Sequence, residues 1–183
     1  NEYDLKISKK LAQEMGLFLP VAQHLVSKGI VTLKDAQSYL HPDFDFLNGI
    51  NSIKNTFEAS QILIDANNHK EKILIYGDYD VDGITSTYIL YDYLKSLGAD
   101  VSYFIPDRHI DGYGLSIDAL QKRIGDFDLI ITVDCGITSM DVVEYLNHNG
   151  KKIIITDHHQ PKDVLPQATI VNPKCDSGAY QGY

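Results

Sequence analysis

The sequence predicts an α/β protein built on a doubly wound, mostly parallel sheet flanked by helices, with a small helical region in front of it. Three features of its 183 residues support this prediction. From about residue 55 onward, helical segments alternate with short apolar runs, which is typical of α/β proteins. These runs are rich in β-branched residues and apolar at every position, as expected of strands covered on both faces. The first fifty residues carry the signals of short helices instead.

Three short helices are predicted at the start of the chain, because capping residues, a proline and a glycine occur at suitable spacings. Their expected bounds are Ser8–Met15, Pro20–Gly29 and Thr32–Leu40. Residues 41–49 are rich in turn formers, so a boundary is expected between residues 42 and 54. We therefore predict a helical N-terminal region over 1–54 and the main domain over 55–183. A helical lid on one common domain is the alternative.

Five strands and four helices are predicted in the main domain. Gly98 and Gly150 end two of the helices, since glycine readily adopts the conformation that terminates a helix. The predicted strands are Lys72–Tyr76, Val101–Ile105, Leu129–Val133, Ile153–Ile155 and Thr169–Val171. The predicted helices are Asn55–His69, Ile84–Leu97, Ser116–Ile124 and Ser139–Asn149.

Three of these strands are followed by turns rich in aspartate or histidine. The carboxyl ends of parallel strands share one edge of the sheet, so these turns should meet there. Clustered carboxylates resist joint ionisation without a counter-charge, and the cluster therefore predicts a metal site. A single acidic turn could equally be a helix cap, but three on one edge favour metal. The candidate residues are Asp78, Asp80, Asp82, Asp134, Asp157, His158 and His159.

The mixture of carboxylate and imidazole groups indicates which metal to expect. Such ligands suit Mn²⁺, Fe²⁺, Co²⁺ or Zn²⁺ better than an oxygen-only Mg²⁺ or Ca²⁺ site, and we favour Mn²⁺ with Mg²⁺ as a weaker substitute. The spacing of Asp78, Asp80 and Asp82 superficially matches a calcium loop, but no glutamate occupies its twelfth position. The same segment lacks the GK[ST] ending of a Walker loop.

The net charge of −9 argues against simple binding to a phosphate backbone. Five of the acids lie in the three turns, however, where bound cations would offset them. No apolar run approaches the roughly 20 residues that span a bilayer, and the first residues lack the layout of a signal peptide. Cys135 and Cys175 have no CxxC spacing, which suits a reducing compartment. We therefore expect a cytoplasmic protein without a membrane segment.

The three turns resemble the motifs of the DHH phosphoesterase family, named after the triplet found here at 157–159. Residues 76–87, Tyr-Gly-Asp-Tyr-Asp-Val-Asp-Gly-Ile-Thr-Ser-Thr, resemble the first motif in its exonuclease form, and 133–137, Val-Asp-Cys-Gly-Ile, resemble the second. Residues 105–116 and the opening helices are similar to the same branch. The family's fourth motif, which supplies another aspartate ligand, is not reached before Tyr183. The resemblance therefore implies that the metal site is incomplete in this fragment, and whether the fragment is active alone is left open.

The resemblance implies hydrolysis of a phosphodiester with two bound metals. The implied ligands are Asp80 and Asp78 for one metal, Asp82 and His158 for the other, and Asp134 as a bridge. It also implies that His159 donates to the scissile phosphate while Asp157 orients the histidines. We expect Arg108, with His109, to contact a substrate phosphate; a structural ion pair is the alternative for Arg108.

The implied activity is 5′-to-3′ digestion of single-stranded DNA with release of 5′-mononucleotides, in DNA repair and recombination. Single-stranded DNA and other repair proteins are the expected partners. Two alternatives stay open: a phosphodiesterase of the same family acting on short oligonucleotides or cyclic dinucleotides, and a non-catalytic regulatory domain that binds Mg²⁺. The length of the preferred substrate separates the two enzymes, and the regulatory domain would show no turnover.

Overall fold

The computed structural model describes residues 2–41, 52–107 and 114–175. The chain divides into two compact units, residues 1–49 and 50–182. Residues 42–51, where most of the predicted boundary region falls, lie outside the described part, so the division at residue 54 stays a prediction. Among the described helices, none combines the length and the apolar character that crossing a membrane requires.

The first unit contains the three predicted helices, α1 (Glu2–Met15), α2 (Leu19–Ser27) and α3 (Leu33–Leu40). Its apolar core includes Leu11, Ala22, Leu25, Ile30 and Ala36.

The helix caps of this unit were predicted with mixed success. Thr32 caps α3 as expected, because its hydroxyl accepts a hydrogen bond of 3.1 Å from the Asp35 backbone N–H. The prediction for Ser8 was wrong. Ser8 lies inside α1 and is buried, and its hydroxyl donates to the Asp4 carbonyl at 2.6 Å. A serine within a helix commonly satisfies its hydroxyl in this way, so its presence does not fix a helix start.

The second unit is built on a five-stranded, wholly parallel sheet, which confirms the predicted fold class. The strand order is β2-β1-β3-β4-β5. The chain passes from β1 to its neighbour on one side and then crosses to β3 on the other side. The crevice at such a reversal is the usual ligand site of an open parallel sheet. The strands are β1 (Ile73–Gly77), β2 (Val101–Phe104), β3 (Leu129–Val133), β4 (Lys152–Thr156) and β5 (Thr169–Val171).

The helices of this unit agree with the sequence predictions except at two ends. Helix α5 begins three residues earlier than the predicted Ile84, because the Asp80 side chain accepts a hydrogen bond of 2.9 Å from the Gly83 N–H and caps it there. Helix α6 ends at Gln121, short of the predicted Ile124. The bounds are α4 (Thr56–Asn68), α5 (Val81–Ser96), α6 (Ile117–Gln121) and α7 (Met140–His148), with a short 3₁₀ turn at Pro173–Cys175.

Both faces of the sheet are buried along the central strands β1, β3 and β4, as their apolar sequences predicted, whereas Ser102 and Tyr103 of the edge strand β2 are exposed. Successive side chains along a strand point to opposite faces, so each strand supplies two cores. The first core includes Leu74, Tyr76, Ile130, Ile153 and Ile155. The second core includes Ile73, Ile75, Leu129, Ile131 and Ile154. This double burial fixes the register of the strands, since a shift of one residue would exchange the two sets.

Helix α5 approaches the end of β1 very closely, and two glycines permit this. A Cβ atom at Gly83 would lie 2.4 Å from the Asp78 carbonyl oxygen, and one at Gly77 would lie 2.0 Å from the Thr87 hydroxyl. The first contact is with backbone, which cannot rotate away. The close approach sets where the first turn of α5, with its acids, sits relative to the sheet edge.

We expect Gly83→Ala to destabilise the protein by about 1–3 kcal/mol, because the added methyl group overpacks a rigid backbone contact. Urea unfolding measures the change in the free energy of unfolding. Gly125→Ala is the matched control, since a Cβ there meets nothing within 4 Å. Its effect should stay within about 0.5 kcal/mol. Equal effects of the two substitutions would show that the approach of α5 to β1 is not a packing constraint.

Candidate metal centre

The ends of β1, β3 and β4 are level with one another at the carboxyl edge of the sheet. Gly77 pairs with Val133, and Val133 pairs with Thr156, so the last residues of three adjacent strands lie side by side. The next residue of each chain segment is an aspartate: Asp78, Asp134 and Asp157. The parallel register therefore brings the three predicted turns together.

Asp134, His158 and His159 form a compact group with the donor types of a metal site. One ligand atom from each lies within 4.8 Å of the other two. The closest pair is Asp134 Oδ1 and His158 Nε2, which are 3.0 Å apart. The Asp134 side chain is only 7% exposed, whereas that of His158 is 60% exposed. The group thus has a buried carboxylate at its base and an imidazole at its open side.

The surroundings of Asp134 disfavour its ionised form. Burial raises the pKa of this carboxyl above its ordinary value of 3.8, and the nearby, hydrogen-bonded Asp80 carboxyl raises it further, while the two histidines lower it. Asp134 also has a φ of 62°, in the left-handed region that non-glycine residues rarely adopt. Such backbone outliers concentrate at functional sites. A bound cation would relieve the repulsion between the two acids.

Asp157 ties two of the turns together and holds the ring of His159. Its Oδ1 accepts hydrogen bonds from the His158 N–H at 2.7 Å, the His159 N–H at 3.0 Å and His159 Nδ1 at 2.7 Å. Its Oδ2 accepts from the Ile137 N–H, in the turn after β3, at 3.0 Å. Nδ1 of His159 therefore carries a proton, and Nε2 is the ring atom left for other contacts. The ring of His158 contacts Asp134 instead of Asp157.

The remaining predicted ligands differ in their exposure. Asp78 is 2% exposed, and its Oδ1 accepts from the Tyr79 N–H at 2.8 Å. Asp80 and Asp82 are exposed at the start of α5. A shallow cleft of about 410 Å³ lies at this edge and is lined in part by Asp82, Asp134, Asp157 and His158. The structure thus brings the predicted acids and histidines to one edge, while the roles assigned to each stay predictions.

Two predicted substrate contacts, Arg108 and His109, lie outside the described residues. Their assignment to a substrate phosphate stays a prediction.

Sequence reasoning missed Asn172, which directly follows β5 and is 1% exposed. Its side-chain N–H donates to the His159 carbonyl at 3.0 Å, and its Oδ1 accepts from the Lys174 N–H at 2.8 Å. The available signal was a fourth polar residue after a predicted strand at the same sheet edge. Thr132 was missed as well: its buried hydroxyl donates to the Cys135 carbonyl at 2.7 Å and braces the turn that carries Asp134.

The donor set fits a divalent transition metal. It combines carboxylate and imidazole atoms, and burial together with the nearby Asp80 raises the pKa of its carboxyl group, that of Asp134. Mn²⁺, Fe²⁺, Co²⁺ and Zn²⁺ accept this mixture, whereas Mg²⁺ and Ca²⁺ prefer oxygen alone. The geometry therefore supports the expected metal chemistry.

Comparison with known proteins agrees with the motifs. Residues 72–180 match the family model described as "DHH family, N-terminal domain". This chain belongs to the DHH family. The family resemblance inferred from the three turns is thereby confirmed.

The curated relatives within the DHH family include exonucleases. The single-stranded-DNA-specific exonuclease RecJ of Bacillus subtilis is 40% identical over 169 residues, which is 91% of this chain and 21% of that protein. The exonuclease of the same name from Thermus thermophilus is 41% identical over 121 residues, which is 66% of this chain and 18% of that protein. The chain thus spans about a fifth of the length of these relatives.

Solved structures of similar proteins share the fold. A crystal structure of exonuclease RecJ bound to manganese has a TM-score of 0.69 at 37% identity, covering 73% of this chain and 35% of that chain. RecJ from Thermus thermophilus in complex with Mn²⁺ has a TM-score of 0.70 at 29% identity, covering 97% of this chain and 24% of that chain. The same protein in complex with Mg²⁺ has a TM-score of 0.55 at 25% identity, covering 97% of this chain and 21% of that chain.

We expect Asp134→Asn to stabilise the metal-free protein at neutral pH. The raised pKa of Asp134 means that the folded state disfavours the ionised carboxylate. The resulting destabilisation is absent below the ordinary pKa of 3.8, grows as the pH rises past it, and is complete above the folded pKa. Thermal unfolding in EDTA at pH 7 should give the variant the higher Tm, and its advantage should shrink as the pH falls.

Added Mn²⁺ should reverse this order, because the variant lacks a ligand. At a hundred times its dissociation constant, an ion stabilises the native state by about 2.7 kcal/mol. We expect this gain in the wild type and in the control Asp92→Asn, which changes an exposed acid of α5. An undiminished response of Asp134→Asn to Mn²⁺ would remove Asp134 from the metal site.

Proposed function

We propose that the protein carrying this chain is a metal-dependent 5′-to-3′ exonuclease that acts on single-stranded DNA and releases 5′-mononucleotides. The observation that carries the proposal is the group of Asp134, His158 and His159 at the sheet edge, with Asp80 against Asp134. The similarity to proteins named single-stranded-DNA-specific exonuclease supports this choice of substrate. The same proposal includes a role in DNA repair and recombination. It also places the protein in the cytoplasm, where it would act with other repair proteins.

The proposed cofactor is a pair of Mn²⁺ ions, with Mg²⁺ as a substitute, in line with the metals bound by the similar solved proteins. When bound, such ions lower the pKa of water and neutralise charge on a phosphodiester. Asp134 would contribute to both ions because it faces both Asp80 and His158. The proposed ligands are Asp78 and Asp80 for one ion and Asp82 and His158 for the other.

His159 is proposed as the group that contacts the scissile phosphate. Asp157 accepts from its Nδ1, which leaves Nε2 to donate a hydrogen bond to a non-bridging phosphate oxygen. The Asp157 carboxylate, whose side chain is only 2% exposed, fixes the orientation of the ring through this bond. A hydrogen bond donated by a protonated Nε2 would stabilise the negative charge developing on the phosphate. Asp157 acts through His159 and is a positioning residue.

The cleft also has apolar walls, from Val133, Val171 and Pro173 among others. The cleft is open, which suits a strand end that must enter and leave repeatedly.

We further propose that residues 55–183 belong to the catalytic domain and residues 1–54 to a separate helical region. Arg108 and His109 are proposed to contact a substrate phosphate, since arginine matches phosphate geometry with two hydrogen bonds.

The decisive experiment is digestion of a long single-stranded DNA, labelled at one end or the other, by the full-length protein in Mn²⁺. Prompt release of the 5′-terminal mononucleotide supports the proposal. Intact long DNA together with cleavage of dinucleotides or cyclic dinucleotides would replace it with a small-substrate phosphodiesterase. No turnover on any of these substrates would leave a non-catalytic metal-binding domain.

We expect His159→Ala to lower kcat by about 10²–10³-fold, the usual cost of losing one donor to a developing negative charge. Asp134→Ala should abolish activity. His148→Ala is the matched control, because this exposed histidine of α7 bonds the Glu144 carbonyl of its own helix and none of the candidate site residues that the structure describes. It should retain wild-type rates. Full activity of His159→Ala would remove this residue from the site.

A further inference from the structure

Asn172 holds the Asp-His-His turn from the side of β5. Its side-chain N–H donates to the His159 carbonyl at 3.0 Å. A second bond joins the same two segments, because the Asp157 N–H donates to the Val171 carbonyl at 3.1 Å. The turn is therefore attached to the carboxyl end of β5 at both its first and its last residue.

His159 is held from two sides, by Asp157 and by Asn172. Asp157 Oδ1 accepts from the backbone N–H and from Nδ1 of His159. Asn172 donates to the backbone carbonyl of the same residue. With the main chain fixed on both sides and one ring nitrogen held, the direction of Nε2 is set. Removing the Asn172 side chain would therefore remove the hydrogen bond that holds the His159 carbonyl.

The position requires an amide side chain. Asn172 donates to the His159 carbonyl and at the same time accepts from the Lys174 N–H at 2.8 Å. Among short side chains, asparagine offers a planar donor and acceptor together. Asn172 is 1% exposed, so water does not replace a lost partner, and each unpaired buried group costs about 1–3 kcal/mol.

We propose that Asn172 is a positioning residue for the phosphodiester hydrolysis, acting through the main chain of His159 to keep Nε2 directed at the substrate phosphate. This inference rests on the proposed function. It assigns the fifth strand a part in the site, although β5 itself supplies none of the proposed ligands.

The kinetic test is a double-mutant cycle in the full-length protein with saturating Mn²⁺. Asn172→Ala should lower kcat by about 10–100-fold, as for other residues that orient a functional histidine, with KM for single-stranded DNA unchanged within about twofold. In a His159→Ala background the same substitution should add little, because the group it positions is gone. Additive losses, or a change confined to KM, would overturn the proposal.

The second test needs no activity. In the metal-free protein, hydrogen exchange followed by mass spectrometry should show faster exchange of the amides of His158 and His159 in Asn172→Ala, because the turn opens locally. The control is Asn147→Ala, which removes an amide-to-carbonyl bond of 3.0 Å between Asn147 and Gln167. It should leave this turn and kcat unchanged. Unchanged exchange in Asn172→Ala would overturn the proposal.

A variant that fails to fold and a proposed function that fails are distinguished as follows. If Asn172→Ala does not fold, Asn172→Ser takes its place, because its short hydroxyl side chain removes the amide without placing a buried charge beside the His159 carbonyl. If the wild type fails to cleave DNA, the proposed exonuclease function falls and the catalytic part of this inference falls with it. The exchange measurement still decides whether Asn172 holds the turn.

Discussion

The register of the parallel strands is the constraint on which the site depends. Because β1, β3 and β4 end level with one another, an aspartate that follows each strand is delivered to the same edge. Register is held by burial on both faces of the sheet, where alternate residues of each strand enter different cores. The energy that fixes the site geometry therefore comes from apolar packing in the sheet, at a distance from the charged groups themselves.

The site concentrates negative charge that the bare fold does not neutralise. Asp134 is held against Asp80 in a buried position and in a rare backbone conformation. Asp157, in contrast, has its carboxylate satisfied by four donors from the turns after β3 and β4. One acid thus stabilises the loops, while the other faces a second acid and a histidine. A cation bound there would offset the repulsion between Asp134 and Asp80.

This chain belongs to the DHH family and spans about a fifth of the length of its curated relatives. The described part contains the edge with the clustered acid and histidines and the cleft beside it. Within this part the bond from Asn172 to the His159 carbonyl shows that the residue after the edge strand β5 holds the Asp-His-His turn.

Local periodicity in the sequence was enough to predict the fold class and the strands to within a residue or two. The shared edge of parallel strands was enough to predict which acids and histidines converge. The sequence did not separate Asp78, which is buried, from Asp82, which is exposed, although both stand in one short motif. It also misplaced the start of α5 and missed Asn172. The start of α5 depends on a local cap, in which the Gly83 N–H bonds the Asp80 side chain. The contact of Asn172 with His159, like that of Ile137 with Asp157, joins residues separated in the chain, so these polar groups meet only once the strands have packed.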